Sequence, residues 1–155
     1  MPNKATLLIA KELSPDDEGD TEFANTYAAY ENLPDDEKRA LEGVRVVHSF
    51  RATQRLAMPD AEHPLVWVRR DGRRSMLVGS TTDHVVGMDP GEGRALLDHL
   101  LEWATRREFV VRHHWHRGDL VVWDNTGMLH RALPYEPTSR RLLHRTTLVG
   151  ETPVA

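Results

Sequence analysis

A chain of 155 residues is one domain by size, and it is long enough to bury about two-thirds of its unfolded surface. Its balance of 39% hydrophobic and 28% charged residues excludes wholesale disorder, and the lack of cysteine excludes disulfides and thiolate metal sites, leaving histidine and carboxylate for iron, manganese or zinc. A net charge of −4 without a continuous basic patch argues against nucleic acid as a partner. With no apolar run near the roughly 20 residues a bilayer needs and no secretory leader in "MPNKATLLIAKEL", a cytoplasmic protein is expected, with no membrane partner.

In chain order, "ATLLIAKEL" (5–13) reads as a strand that ends in the acidic loop "SPDDEGD". "TEFANTYAAYENL" reads as a helix, because Phe23, Tyr27 and Tyr30 are spaced to share one face. Next, "PDDEKRALEG" carries Pro34 and three acids in its first turn, bases after them and Gly43 at its end, a short helix. "VRVVHSF" returns to strand, and "RATQRLAMPDAEH" has no clear period and reads as a loop. "PLVWVRR" and "RRSMLVG" flank the turn pair Asp71-Gly72, which predicts a hairpin.

The clearest helix is "DPGEGRALLDHLLEWATRR". Asp89 suits the N-cap, Pro90 the first helical position and Glu92 a capping box, and Leu96, Leu97, Leu100, Leu101 and Ala104 form one apolar face. Strands then follow one another: "EFVVRHHW", the turn "HRGD", "LVVWD", "MLHRAL", the loop "PYEPTS" and "RRLLHRTTLVG". Short strands with few helices predict a mainly β fold, an antiparallel sandwich or barrel with helices packed outside.

Charge is uneven along the chain. Residues 1–50 carry 11 acids and 5 bases, residues 51–155 carry 13 acids and 15 bases, and 17 of the 20 bases are arginine, whose planar fork suits carboxylates. Arg141 and Arg145 have equal parity, so on a strand both would point to one face, about 13 Å apart. A solvent-facing pair would look the same. His130, after the turn "WDNTG", is by spacing alone more readily structural than a ligand, and Asp20-Thr21 also fits a helix N-cap. The "HHWH" run, His113 to His116, alternates faces before a glycine turn, which disfavours a shared metal.

Taken in order, "LLIAKEL", "GDTEFANTYAAYENLP", "VVGMDPGEGRALLDHLLEWATRREFVVRHHWHRGDLVVWDN" and "LHRALPYEPTSRRLLHRTTLVGE" resemble the TauD/TfdA family of iron(II)- and 2-oxoglutarate-dependent dioxygenases over nearly the whole chain. The resemblance implies a double-stranded β-helix, or jelly roll, as a single domain over residues 1–155, with Fe(II) as cofactor and 2-oxoglutarate as cosubstrate. It also implies His130 as the distal iron ligand, and Arg141, assisted by Thr21, as the partner of the cosubstrate's far carboxylate. Arg145 is placed near the cosubstrate's other end or an anionic substrate group. The implied reaction hydroxylates a small organic substrate while 2-oxoglutarate is decarboxylated to succinate.

One feature departs from the family pattern. None of the nine histidines is followed two residues later by an acid, so the family's His-x-Asp pair of ligands is missing, and the chain reads as a carboxyl-terminal portion beginning just past that motif. Three readings follow: part of a dioxygenase completed by another segment, an inactive relative that binds a small acid or a partner chain, and a β-rich scaffold with idle motif residues. An incomplete jelly roll is further expected to leave an open edge beside "ATLLIAKEL" and to recruit a second copy or a complementing polypeptide.

Overall fold

Side-chain alternation along β1 (Asn3–Glu12) sets up the first sheet, because Thr6 and Ala10 are fully buried while the residues between them are not. A computed structural model describes residues 3–14, 18–49 and 59–150, and these fall into two units: Met1–Asn25 with Val110–Ala155, and Thr26–Phe109. The described residues are mostly strand, with few helices.

In the first unit, β1 lies between β11 (Leu142–Val149) and β9 (Leu120–Asp124), antiparallel to both. The register makes Arg145, Leu8 and Val121 one cross-strand row and Thr147, Thr6 and Trp123 the next on the same face. A second antiparallel sheet runs β10 (Met128–Ala132), β2 (Thr21–Asn25), β8 (Val110–His113). There Phe23 stands opposite His130 and Val111, and Thr21 opposite Ala132 and His113. The sheets meet through Trp123, whose ring centre is 5.2 Å from that of Phe23 and 4.7 Å from that of His130.

The turn between β9 and β10 carries the chain from one sheet to the other. Asp124 Oδ1 accepts from Thr126 N (2.8 Å) and Thr126 Oγ1 (2.7 Å), an Asx turn, and the Asn125 amide meets the buried Thr6 hydroxyl at 2.9 Å. The "WDN" stretch therefore sets Trp123 on one inner face and returns His130 on the other.

The second unit contains α1 (Thr26–Glu31), α2 (Asp35–Ala40) and α3 (Pro90–Ala104), the sheet β4-β3-β7 (Ala61–Pro64, Arg45–His48, Thr82–Val85) and the hairpin β5-β6 (Val66–Val68, Arg74–Met76). Asp89 caps α3 by accepting from Gly91 N (2.8 Å) and Glu92 N (3.2 Å), and Leu97, Leu100 and Ala104 are buried along one stripe, as its sequence predicts. Gly93 is buried where α3 meets Val85 of β7. Trp103 ties α3 to α1 by donating to the Ala29 carbonyl at 2.9 Å.

Several expectations change. Residues 21–25 are a strand, not the start of a helix, because their inward residues Thr21 and Phe23 pair with strands on both sides; the helical spacing of Tyr27 and Tyr30 begins only at Thr26. The loop expected over 51–63 runs into β4, which pairs antiparallel with β3, while residues 51–58 lie outside the described residues. β7 arises in "TTDHVV", which has no strand period of its own. Pro34 is the N-cap of α2, directly ahead of the acids Asp35, Asp36 and Glu37 in its first turn. The edge expected beside β1 is filled on both sides, by β11 and β9, and in the two sheets of the first unit the outer strands are β11, β9, β10 and β8. Among the described residues no helix is long and apolar enough to cross a membrane.

Candidate functional site

His130, Thr21, Arg141 and Arg145 all fall in the first unit. His130 comes from the middle of β10 and faces the opposite sheet, packed against Trp123 (4.7 Å, rings tilted 53°) and Phe23 (6.4 Å, nearly parallel at 28°). The residue keeps solvent contact, yet desolvation of its ring, and secondly the Arg145 charge, lower its pKa and favour the neutral imidazole. A neutral ring nitrogen is the form that ligates a metal. Arg145 reaches this neighbourhood because its row partners, Leu8 and Val121, share the inner face with Trp123.

Arg141 does not share a strand with Arg145. It precedes β11, which begins at Leu142 beside a register shift between Ala10 and Glu12, so the parity expected for the pair does not apply. Its position is set by contacts instead. One guanidinium nitrogen, Nη2, donates to the Gly19 carbonyl at 2.6 Å, and Cζ stands 4.7 Å over the Tyr135 ring. Gly19 is required there: its φ is +85°, and a Cβ would lie 2.6 Å from Arg141 Nε and 3.2 Å from Tyr135 Cβ. Arg141 Nε is buried without a hydrogen-bond partner, so the fork is not satisfied by the protein.

Thr21 is the first residue of β2 and not a helix cap. It is 3% exposed, and its hydroxyl accepts from Trp115 Nε1 at 3.0 Å. The residue between Gly19 and Thr21 completes a rigid corner. Asp20, 4% exposed, accepts from Arg112 Nε (2.6 Å) and His114 Nδ1 (2.9 Å), and its carbonyl accepts from Leu133 N (2.8 Å). Burial alone would raise the Asp20 pKa, but the hydrogen bonds and charges of Arg112 and His114 outweigh it and the pKa is lowered.

The "HHWH" run is thus divided among other tasks: His114 serves Asp20, and His113 and His116 stand 3.2 and 3.6 Å from Asp119 Oδ2. Among the described residues no three histidines or carboxylates are grouped so as to hold a metal ion. His130 offers one imidazole, which does not fit a three-ligand iron centre.

Reasoning from spacing missed Gly19, Asp20 and Trp115. The signal for Trp115 was its equal parity with His113, which stands opposite Thr21; for Gly19 it was a glycine directly before two polar residues at the start of a strand.

The architecture is that of a jelly-roll protein whose facing sheets carry an imidazole, a hydroxyl and two arginines. The taurine catabolism dioxygenase TauD, TfdA family matches residues 1–147, and the chain belongs to it. It is 42% identical, over 88% of its length, to an alpha-ketoglutarate-dependent 2,4-dichlorophenoxyacetate dioxygenase from Burkholderia sp. (strain RASC), of which it covers 50%. To the protein of the same name from Cupriavidus pinatubonensis it is 41% identical over 95% of its length, covering 56% of that relative.

Among solved structures it is similar to AAD-2 in complex with Mn(II) and N-oxalylglycine, with a TM-score of 0.92, 33% identity, and coverage of 100% of this chain and 66% of that one. It is also similar to a taurine dioxygenase from Burkholderia xenovorans, with a TM-score of 0.89, 37% identity, and coverage of 98% and 54%. The chain therefore spans about half to two-thirds of the length of these relatives.

Proposed function

We propose that this chain supplies the distal histidine and the cosubstrate carboxylate site of an iron(II)- and 2-oxoglutarate-dependent dioxygenase, which hydroxylates a small organic substrate. The observation that carries this reading is Arg141: a guanidinium pinned to Gly19, with a buried Nε–H lacking an acceptor, beside the corner that presents Thr21. A dicarboxylate would supply the missing oxygen, and a bidentate arginine pair is the favourable way to hold a desolvated carboxylate. Thr21 would add a neutral hydrogen bond. The neutral His130 imidazole would act as one metal ligand, and Arg145 would meet the near end of the cosubstrate or an anionic substrate, a carboxylate or sulfonate. Iron, when bound, supplies the oxidation of substrate coupled to decarboxylation of 2-oxoglutarate. Because the described residues give it one ligand, turnover belongs to an assembly in which two more ligands are present.

A second copy of this chain would repeat the same ligand set, so the two further ligands would come from a complementing segment, while a second copy or a complementing polypeptide is the partner expected on the exposed sheet. Leu120, Val122 and Leu148 are 58%, 56% and 49% exposed on the outer face of the β11-β1-β9 sheet, an apolar surface suited to a partner. Sedimentation at several concentrations tests it; a monomer throughout removes the homo-oligomer.

Calorimetric titration with 2-oxoglutarate tests the site. R141A is expected to lose on the order of 2 to 5 kcal/mol of binding free energy, since the ligand carboxylate would be buried without its cation. Equal affinities for the two proteins would remove Arg141 from the site. H130A is expected to abolish metal binding with little change in stability. A large drop in melting temperature without a change in metal content would make His130 structural.

A further inference from the structure

Trp115 follows β8 by two residues and is placed beside Thr21 by direct contact with it. It is 4% exposed, and the His113 ring meets it edge-on with ring centres 4.6 Å apart. Its N–H donates to Thr21 Oγ1 at 3.0 Å in a buried setting. A threonine hydroxyl has one proton and two lone pairs. With Trp115 on one lone pair, and no protein acceptor for the proton among the described residues, the hydroxyl is left with a donor to offer.

We propose that Trp115 is a positioning residue for the carboxylate site: by donating to Thr21 Oγ1 it holds that hydroxyl as a hydrogen-bond donor toward the carboxylate that Arg141 receives. The inference rests on the reading of Arg141 and Thr21 as a 2-oxoglutarate site. It explains a pairing that packing alone does not require, a tryptophan N–H spent on the one buried hydroxyl at the Gly19-Asp20-Thr21 corner. The corner itself is already fixed, because the Gly19 carbonyl is taken by Arg141, the Asp20 carboxylate by Arg112 and His114, and the Asp20 carbonyl by Leu133. Removing the indole N–H therefore leaves the backbone in place and frees the Thr21 hydroxyl to rotate.

A double-mutant cycle tests this, with 2-oxoglutarate and 2-oxobutyrate as probes; the second keeps the keto-acid end and lacks the far carboxylate. W115F is expected to weaken 2-oxoglutarate about five- to tenfold, the scale of one ordinary hydrogen bond, because the indole acts through the Thr21 hydroxyl, and to leave 2-oxobutyrate unchanged. In a T21V background W115F should have no further effect, whereas T21S should keep the full dependence on Trp115. Unchanged affinity in W115F, an equal loss for both ligands, or the same loss in the T21V background overturns the positioning role. Failure of the wild-type protein to bind 2-oxoglutarate removes the site reading itself and the inference with it. Should W115F not fold, the indole N–H resonance of Trp115 in the wild-type chain decides: it should shift on adding 2-oxoglutarate and lose that response in T21V, and a response retained in T21V overturns the proposal.

Discussion

The two units of this chain bury different things. In Thr26–Phe109 the interior is mainly aliphatic, with Leu41, Val46, Leu65, Met76, Val85, Leu97 and Leu100 all at most 3% exposed, although Tyr27, Tyr30, Thr26, Ser75 and Thr82 are buried there too. In the other unit the buried positions include Thr6, Asp20, Thr21 and Thr126 together with Phe23, Trp115 and Trp123, and the facing sheets also carry His130 and Arg145, both exposed. Aliphatic packing stabilises without directing chemistry, whereas each buried polar group must be matched by a partner or costs stability. The comparison assigns stability chiefly to one unit and ligand recognition to the other, and substitutions can test that assignment.

The largest effect is expected from L100A. Leu100 is fully buried on the inner stripe of α3, so truncation leaves a cavity and should cost about 2 to 5 kcal/mol in denaturant unfolding. A cost below 1 kcal/mol would mean that the stripe collapses easily and that the aliphatic unit is not the stabilising one.

Acid should act on the same unit. Burial, and secondly the neighbouring His63, lower the His48 pKa from 6.5 to about 4, and its Nδ1 lies 3.1 Å from Thr81 Oγ1. A depressed histidine pKa means that between these two values the unfolded chain takes a proton which the folded chain refuses. Stability is therefore fully present above pH 6.5, falls as pH drops toward about 4, and levels off below it. The loss over that window is on the order of 3 kcal/mol. H48Q should flatten this part of the stability profile, and an unchanged slope would assign the acid sensitivity elsewhere.

A smaller pair of effects compares two left-handed glycines. Gly19 has φ +85° and Arg141 packed against it, whereas Gly43 has φ +74° and nothing within 4 Å of an added Cβ. Both G19A and G43A should lose about 1 to 2 kcal/mol from backbone strain. Only G19A should also displace the guanidinium and weaken 2-oxoglutarate binding in calorimetry. If the two variants bind alike, contact with Gly19 does not set the position of Arg141.

What the sequence made legible follows the same division. The α3 helix, its Asp89 cap and the Asp71-Gly72 hairpin were readable because each is decided by residues close in sequence. β2, β4 and β7 were not, since their strand state comes from partners far away: Thr21–Asn25 reads as helix until β8 and β10 flank it. Of the candidate site, His130, Thr21, Arg141 and Arg145 were singled out through resemblance to a family, while spacing alone favoured structural roles. The contacts that position them, Gly19 under Arg141 and Trp115 on Thr21, join residues more than 90 apart in the chain and leave no local period to read.

The smallest effect is expected at the N-terminus of α3, and it sharpens the comparison most directly because Asp89 belongs to the other unit from the candidate site residues. Asp89 satisfies two of the helix's free N–H groups, those of Gly91 and Glu92, and its carboxylate also faces the positive end of the helix dipole. D89A removes both contributions and should cost about 1 kcal/mol, while D89N or D89S, which keep an acceptor, should retain most of it. The bonds are exposed, so water partly replaces them in the variant, which is why the loss is modest. The same variant should bind 2-oxoglutarate with wild-type affinity. If D89A instead weakened the ligand in proportion to its loss of stability, recognition and stability would be coupled across the chain, and the separation of an aliphatic stabilising unit from a polar recognising one would fail.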